Sequence, residues 1–343
     1  MNSHNKMDDR AGADDRAGTA GQIKAIADLL RSKENIVILT HNSADGDTLG
    51  CSIAVGRALH RLNKNACILY EEKYTEYLEF LLEGYGSLIF LDDDPGALDR
   101  AWDAVIVFDT ADPKLLGKRE RMLNQAGCVI NIDHHISNRL FGDVNLVVPG
   151  ASATAELAYQ LLAELGVPLD HYMALAIYTG ICTDTGGFSY SNTTCASHEI
   201  AAKTLAFGID VAHLRYKFFD AITPGKLHCH AYVANTLRFH DGGKYAIAVV
   251  SAEALDKIGA TEADCEGLVN IGRNVVGVEV SVFAREIRPG EFRVNLRSRG
   301  SYDVSEVARK FEGGGHKLAA GCTVIAPSGE IESILLNALN EAR

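Results

Sequence analysis

The sequence predicts an α/β protein, a doubly wound and mainly parallel sheet joined by a helical connector to a smaller α+β domain. Three observations carry this expectation. The 343 residues exceed the roughly 100–200 of one typical domain. Short apolar runs alternate with helical periodicity over the first two thirds, and the runs are continuously apolar, as strands covered on both faces are. After about residue 208 the pattern changes to strands linked by turns.

Residues 1–20 carry Asp-Asp-Arg-Ala-Gly twice, at Asp8–Gly12 and Asp14–Gly18. So polar a stretch cannot offset its ordering entropy, and a disordered tail is expected. The first domain, 21–208, opens with Ile23, Ile26, Ala27, Leu29 and Leu30 on one helical face. Strands are expected at Asn35–Leu39, Ala66–Tyr70, Ala104–Phe108 and Cys128–Ile132, with helices at Thr48–Leu62, Ser152–Leu165 and His171–Ile181. Residues 209–238 keep helical periodicity around Pro224-Gly225 and read as the connector. In 239–343, strands are expected at Tyr245–Val250, Val278–Glu286 and Phe292–Arg297, the last two joined by the turn Arg288-Pro289-Gly290. Helices should follow at Val304–Phe311 and Ile331–Ala342.

Composition narrows the function. With 33 Lys and Arg against 45 Asp and Glu the net charge is −12, which argues against a broad grip on long duplex nucleic acid. Any nucleic-acid ligand should be short and locally held. No apolar run reaches the 18 or so residues of a membrane span, and the first twenty residues lack the apolar core of a secretory signal. None of the eight cysteines forms a Cys-x-x-Cys pair, so buried thiols in a reducing, cytoplasmic setting are expected.

The chemistry concentrates where predicted core elements end. The first strand runs into His41-x-x-x-Asp45-x-Asp47, the third into Asp109, and the fourth into Asp133-His134-His135; Asp184 follows a helix. In open α/β sheets, groups beyond the carboxyl ends of strands converge on one crevice. Carboxylates gathered there repel one another, and bound cations relieve that repulsion. Carboxylates with a minority of imidazoles favour Mn²⁺ or Mg²⁺. Asp45 and Asp47, two apart on a locally extended loop, suit one ligand to each of two metals, with Asp109 between them. Asp112, before Pro113, fits a simple cap, and His228-Cys229-His230 reads as structural. In the second domain, Gly313-Gly314-Gly315-His316-Lys317 lets the backbone approach an anion. A helix starting just after it would add its N-terminal field. Arg293, Arg297 and Arg299 lie nearby on a strand.

Taken together, these motifs resemble the four-motif signature of the DHH phosphoesterase superfamily, and Gly313-Gly314-Gly315-His316 with Ala319-Ala320-Gly321 resembles its DHH-associated C-terminal domain. Length and domain pairing are most similar to the branch of nanoRNases and 3′-phosphoadenosine 5′-phosphate phosphatases. The resemblance implies two divalent cations, Mn²⁺ or Mg²⁺, held by His41, Asp45, Asp47, Asp109, His134 and Asp184. It implies His135 at the scissile phosphate, oriented by Asp133, and a nucleotide held by Arg297, Ser298, Gly313, Gly314, Gly315 and His316. It further implies short RNA or a small nucleotide as substrate, and a homodimer. A stand-alone phosphodiesterase for cyclic or linear diadenylate shares every motif and stays open as the alternative. Glu312 departs from the branch, which commonly has another glycine there, and leaves substrate preference at that loop open.

Overall fold

The computed structural model describes residues 5–71, 76–83, 85–300 and 302–342. The chain divides into two compact units, Met1–Ala221 and Ile222–Arg343. The segment read as a connector is therefore split between them.

In the first unit, six parallel strands run in the order β3-β2-β1-β4-β5-β6: β1 (Asn35–Leu39), β2 (Asn65–Tyr70), β3 (Leu88–Phe90), β4 (Ala104–Phe108), β5 (Val129–Asp133) and β6 (Val144–Val147). The helices are α1 (Asn5–Ser32), α2 (Gly46–Arg61), α3 (Thr154–Leu165), α4 (His171–Asp184), α5 (Cys195–Leu205) and α6 (Val211–Arg215). Ile36 and Ile38 of β1 join a core with Ile26, Leu30, Ile53 and Leu161 from α1, α2 and α3. Val37 and Leu39 point the other way, into a core with Trp102, Leu116 and Met122. That is why β1 has no polar alternation. The second face is covered by 3₁₀ turns at Pro95–Asp99 and Pro113–Asn124 rather than by full helices. The two short edge strands β3 and β6 escaped the sequence reading.

The tail expectation needs correction. Residues 1–4 lie outside the described residues, but from Asn5 the backbone is helical as part of α1. Helix continues outward from the packed turns at Ile23, Ile26 and Leu30, because a formed helix propagates more easily than it nucleates.

The second unit holds a sheet in the order β11-β12-β10-β9-β8-β7, with β7 (Arg238–His240), β8 (Tyr245–Val250), β9 (Val280–Arg288), β10 (Glu291–Ser298), β11 (Gly314–His316) and β12 (Ala319–Ile325). All pairs are antiparallel except β8 with β9. Its helices are α7 (Pro224–Thr236), α8 (Ala252–Ile258), α9 (Val269–Arg273), α10 (Val304–Arg309) and α11 (Ile331–Glu341). Phe292, Val294 and Leu296 pack with Val307 and Leu335 of α10 and α11. On the opposite face Ala248, Val250 and Phe283 pack with Cys229, Leu255 and Val269 of α7, α8 and α9.

The helix expected after the glycines is not there. Gly313–Gly315 leads into a hairpin, β11 paired with β12 as Gly314↔Gly321, Gly315↔Ala320 and His316↔Ala319. A Cβ on Gly313 would lie 2.4 Å from the Gly321 carbonyl oxygen, and one on Gly315 (φ +143°) 2.5 Å from that of Ala319. The glycines thus serve close strand approach, and no helix N-terminus supplies an anion field here. The alternate burial of Ala320, Cys322 and Val324 is a period-2 strand signal that the glycine run overshadowed. Glu312, just ahead of the hairpin, holds φ +57°, a conformation that costs an L-residue about 1–2 kcal/mol.

Two stability tests follow from backbone geometry. A Cβ at Gly50 in α2 would lie 2.4 Å from the Ala176 carbonyl oxygen of α4. Gly50→Ala should therefore lower the chemical-denaturation free energy by about 1–3 kcal/mol, whereas Gly21→Ala in α1, which meets nothing within 4 Å, should raise it by up to about 1 kcal/mol. Glu312→Gly should shift the denaturation midpoint upward by relieving the left-handed backbone; a downward shift would contradict this account.

Candidate metal centre

The strand order reverses between β1 and β4, both neighbours of which are parallel. Loops leaving the carboxyl ends of β1, β4 and β5 therefore open on one crevice. His41 follows β1, and its loop is pinned by buried Arg119, whose guanidinium donates to the Leu69 carbonyl (2.7 Å) and to Asn42 Oδ1 (2.8 Å). Asp45 is the N-cap of α2, accepting from the backbone N–H groups of Asp47 and Thr48, which leaves its second oxygen for other work. Asp47 lies in the first helical turn, so Asp45 and Asp47 are not on the extended loop expected. Gly46 and Gly180 let α2 and α4 close up: a Cβ on Gly46 would meet Thr183 Oγ1 at 2.6 Å, and one on Gly180 would meet Asp47 Oδ1 at 2.8 Å. This close packing carries Asp184, in the last turn of α4 rather than after it, to the crevice.

The six residues converge. Ligating atoms of His41, Asp45 and Asp109 lie within 4.8 Å of one another, as do those of Asp47, His134 and Asp184. Asp109 faces both ways: Oδ2 is 3.8 Å from His41 Nε2, and Oδ1 is 3.6 Å from His134 Nε2. His134 Nε2 is also 3.4 Å from Asp184 Oδ2. Asp109 adopts φ +53° at the end of β4, an outlier of the kind that a surrounding structure must hold in place.

The imidazoles are posed as ligands. His41 Nδ1 lies 2.7 Å from the Asn42 carbonyl, and His134 Nδ1 lies 3.1 Å from that of Ala151. Each Nδ1–H is thereby committed to a carbonyl, and each Nε2 lone pair is directed at carboxylates. A lone pair facing a carboxylate is unfavourable without a cation between them. Burial, then the neighbouring charges of Asp109, Asp184 and Asp45, raise the Asp47 carboxyl well above its usual range. Burial and Asp45 push Asp109 up to about 6, although His135 and His134 oppose the shift. Burial raises Asp184 too. Oxygen and imidazole donors packed at this density fit hard or borderline divalent cations. Cys51 is not a ligand candidate, because burial holds it as a thiol whose Sγ donates to Asp47 Oδ1 at 3.7 Å.

His135 is posed differently. Its Nδ1 lies 2.7 Å from Asp133 Oδ1, and its side chain is 47% exposed. That hydrogen bond, opposed by burial and aided by the charges of Asp109 and Asp133, raises its pKa to about 9. Asp133 is fully buried. Burial raises its carboxyl, but hydrogen bonds from His135 and from Asn138 Nδ2 (2.5 Å) outweigh that and leave it below its usual range. Asp112 is the cap expected, accepting from Lys114 N. His228 bonds the Ile258 carbonyl and Cys229 is buried in the second core.

Sequence reasoning missed Thr154 and Asn138. Thr154 N and Ala155 N donate to Asp47 at 2.7 and 2.9 Å, and Thr154 Oγ1 donates to Asp109 Oδ1 at 2.9 Å. The amino end of α3 thus carries the buried carboxylate. The small and hydroxyl run Ala151-Ser152-Ala153-Thr154 ahead of Glu156 was the available signal.

In the second unit, Arg297 and His316 both pair with Ala319 of the strand between them, so the register places them on one face. Gly313, Gly314 and Asn295 line a neighbouring concavity of about 640 Å³. Ser298 lies on the other face, buried, with Oγ donating to the Tyr302 carbonyl at 2.8 Å; it braces the turn instead of facing a ligand.

Comparison with known proteins adds to this geometry. A family model for the DHH family, N-terminal domain, matches residues 35–181, and one for the DHHA1 domain matches residues 242–342. A Thermus thermophilus protein named bifunctional oligoribonuclease and PAP phosphatase NrnA is 34% identical over 318 residues, covering 88% of each chain. A Streptococcus mutans protein named as a probable member of the same kind is 29% identical, covering 87% of this chain and 92% of its own. The crystal structure of an exopolyphosphatase-related protein from Bacteroides fragilis superposes with a TM-score of 0.81 at 26% identity, over 94% of this chain and 96% of that one. With both domain signatures in order and a relative matched along most of its length, the chain belongs to the DHH phosphoesterase family.

Proposed function

We propose that this phosphoesterase hydrolyses short oligoribonucleotides to mononucleotides and removes the 3′-phosphate of 3′-phosphoadenosine 5′-phosphate, the two activities named for its relatives. The observation that carries the proposal is the pair of donor groups, His41–Asp45–Asp109 and Asp47–His134–Asp184, with Asp109 facing both. Two divalent cations fit these groups, Mn²⁺ being the first choice and Mg²⁺ the second. When bound, they supply Lewis acidity to a phosphoryl oxygen and to the attacking water.

The chain's own residues do the rest. Asp47 and Asp109 are held rigidly by Thr154 and Ala155, so the donor set needs little reorganisation. The hydrogen bond between His135 Nδ1 and Asp133 raises the imidazole pKa to about 9, which favours its protonated form. Its Nε2–H is the acid for the phosphoryl oxygen or the departing ribose oxygen. Arg297, His316 and the glycine hairpin hold the nucleotide, with guanidinium suited to bidentate phosphate contact. All eight cysteines are free thiols, which suits a reducing cytoplasm. Among the described residues no helix is long and apolar enough to cross a membrane. A homodimer is the assembly that sedimentation should find.

A substrate panel with Mn²⁺ tests the reading: a dinucleotide, a pentanucleotide RNA, 3′-phosphoadenosine 5′-phosphate, cyclic diadenylate and pyrophosphate. Dinucleotide and 3′-phosphoadenosine 5′-phosphate should be turned over, and preference for cyclic diadenylate would reject the assignment. Asp109→Asn should abolish turnover while keeping the circular-dichroism spectrum. In thermal melts Mn²⁺ at about 100 times its dissociation constant should add about 2.7 kcal/mol to the wild type and almost nothing to Asp109→Asn. His135→Asn should lower kcat about 10²–10⁴-fold while leaving that Mn²⁺-dependent stabilisation in place; loss of metal stabilisation would make His135 a ligand instead.

A further inference from the structure

Along β10 the side chains part by alternation. Phe292, Val294 and Leu296 enter the core with α10 and α11, and Arg293, Asn295 and Arg297 take the opposite face. The register sets small residues beside part of this row: Arg297 pairs with Ser281 and Ala319, and Asn295 with Gly321. Two concavities lie along it. One of about 740 Å³ is lined by Arg285, Arg293, Asn295 and Arg297 together with Glu262 and Glu266, and the other, of about 640 Å³, shares Arg293 and Asn295 and adds Glu312.

Ion pairing on this face is incomplete. Arg285 forms an ion pair with Glu262. Arg293 stands directly across from Arg285, a like-charge pairing that destabilises a sheet. Among the described residues, no ion pair is formed by Arg293, Arg297 or Arg273. Burial, then the nearby Arg273, holds the Arg297 guanidinium below its ordinary range. The Nε of Arg273 is itself buried without a hydrogen-bond partner. Guanidinium groups that make no ion pair although carboxylates line the same concavities are left able to take an anion from outside the chain.

Spacing says which anion. Strand geometry sets Arg293, Asn295 and Arg297 about 7 Å apart from one to the next. The two arginines themselves are thus about 14 Å apart, too far for phosphoryl groups sharing one bridging oxygen and suited to phosphates with more than one ribose between them. We propose that β10 is a phosphate-reading row in which Arg297 and Arg293 engage different phosphates of one strand, so that Arg293 selects oligonucleotides longer than a dinucleotide. This rests on the oligoribonuclease reading and adds to it a determinant of chain length.

The test uses the full chain and Arg293→Ala, with Arg293→Lys as the conservative variant. The ratio of kcat/KM for a pentanucleotide to that for a dinucleotide should fall about tenfold in Arg293→Ala and recover largely in Arg293→Lys. Fluorescence anisotropy of a labelled pentanucleotide in EDTA should show a matching loss of affinity. The melting temperature of Arg293→Ala should not fall below wild type, since the Arg285–Arg293 repulsion is relieved. An unchanged ratio with unchanged affinity would overturn the proposal. So would inorganic polyphosphate displacing the pentanucleotide as effectively as RNA does, because ribose spacing would then be irrelevant. Failure of the oligoribonuclease reading would show separately, as absence of hydrolysis by wild type, and the binding comparison would still decide the role of Arg293.

Discussion

The mutual repulsion of carboxylates around Asp109 is the constraint on which the first unit is built. Asp47 is wholly buried, Asp109 almost so, and Asp45 and Asp184 face the same space. Such a group of like charges would spread apart if it could. It is kept together by the amino end of α3 donating to Asp47, by the Asp45 cap of α2, and by glycines that let α2 and α4 touch backbone to backbone. The left-handed backbone at Asp109 belongs to the same strain. Divalent cations held by these donor groups would relieve that repulsion.

The second unit inverts the sign. Its sheet face gathers guanidinium groups of which Arg285 is paired with Glu262, while Arg293 and Arg297 make no ion pair. The global charge of −12 is therefore a poor guide to either face. Local fields decide what binds, because charges further apart than about 8–10 Å are largely screened at physiological salt. An acidic chain can thus handle a short nucleic acid without the extended basic surface that long duplexes require.

Two adjacent histidines show how much one hydrogen bond decides. His134 gives its Nδ1–H to a backbone carbonyl and so aims Nε2 inward at Asp109 and Asp184. His135 gives its Nδ1–H to the buried Asp133 carboxylate, which raises its pKa. The same residue type is thereby given two different hydrogen-bonding environments. Asn138, which holds the second oxygen of Asp133, is part of that division although it never meets the cation-binding groups.

The apolar runs at Asn35–Leu39, Ala104–Phe108 and Cys128–Ile132 were legible as core strands because both their faces are buried, and the acidic and imidazole residues that end them were legible as one site. Local pattern suffices there, since burial on both faces leaves only Asn35 and Asn131 as polar positions in these runs. Long-range contact settled the rest. The glycine run reads locally as a ligand loop ahead of a helix, and only its pairing with Ala319–Gly321 makes it a hairpin. Nothing near Asp47 in the chain announces that Thr154 and Ala155, more than a hundred residues on, will hold it. Residue type and spacing therefore determined which chemistry this protein carries, whereas packing between distant segments decided which atom of each side chain is free to perform it.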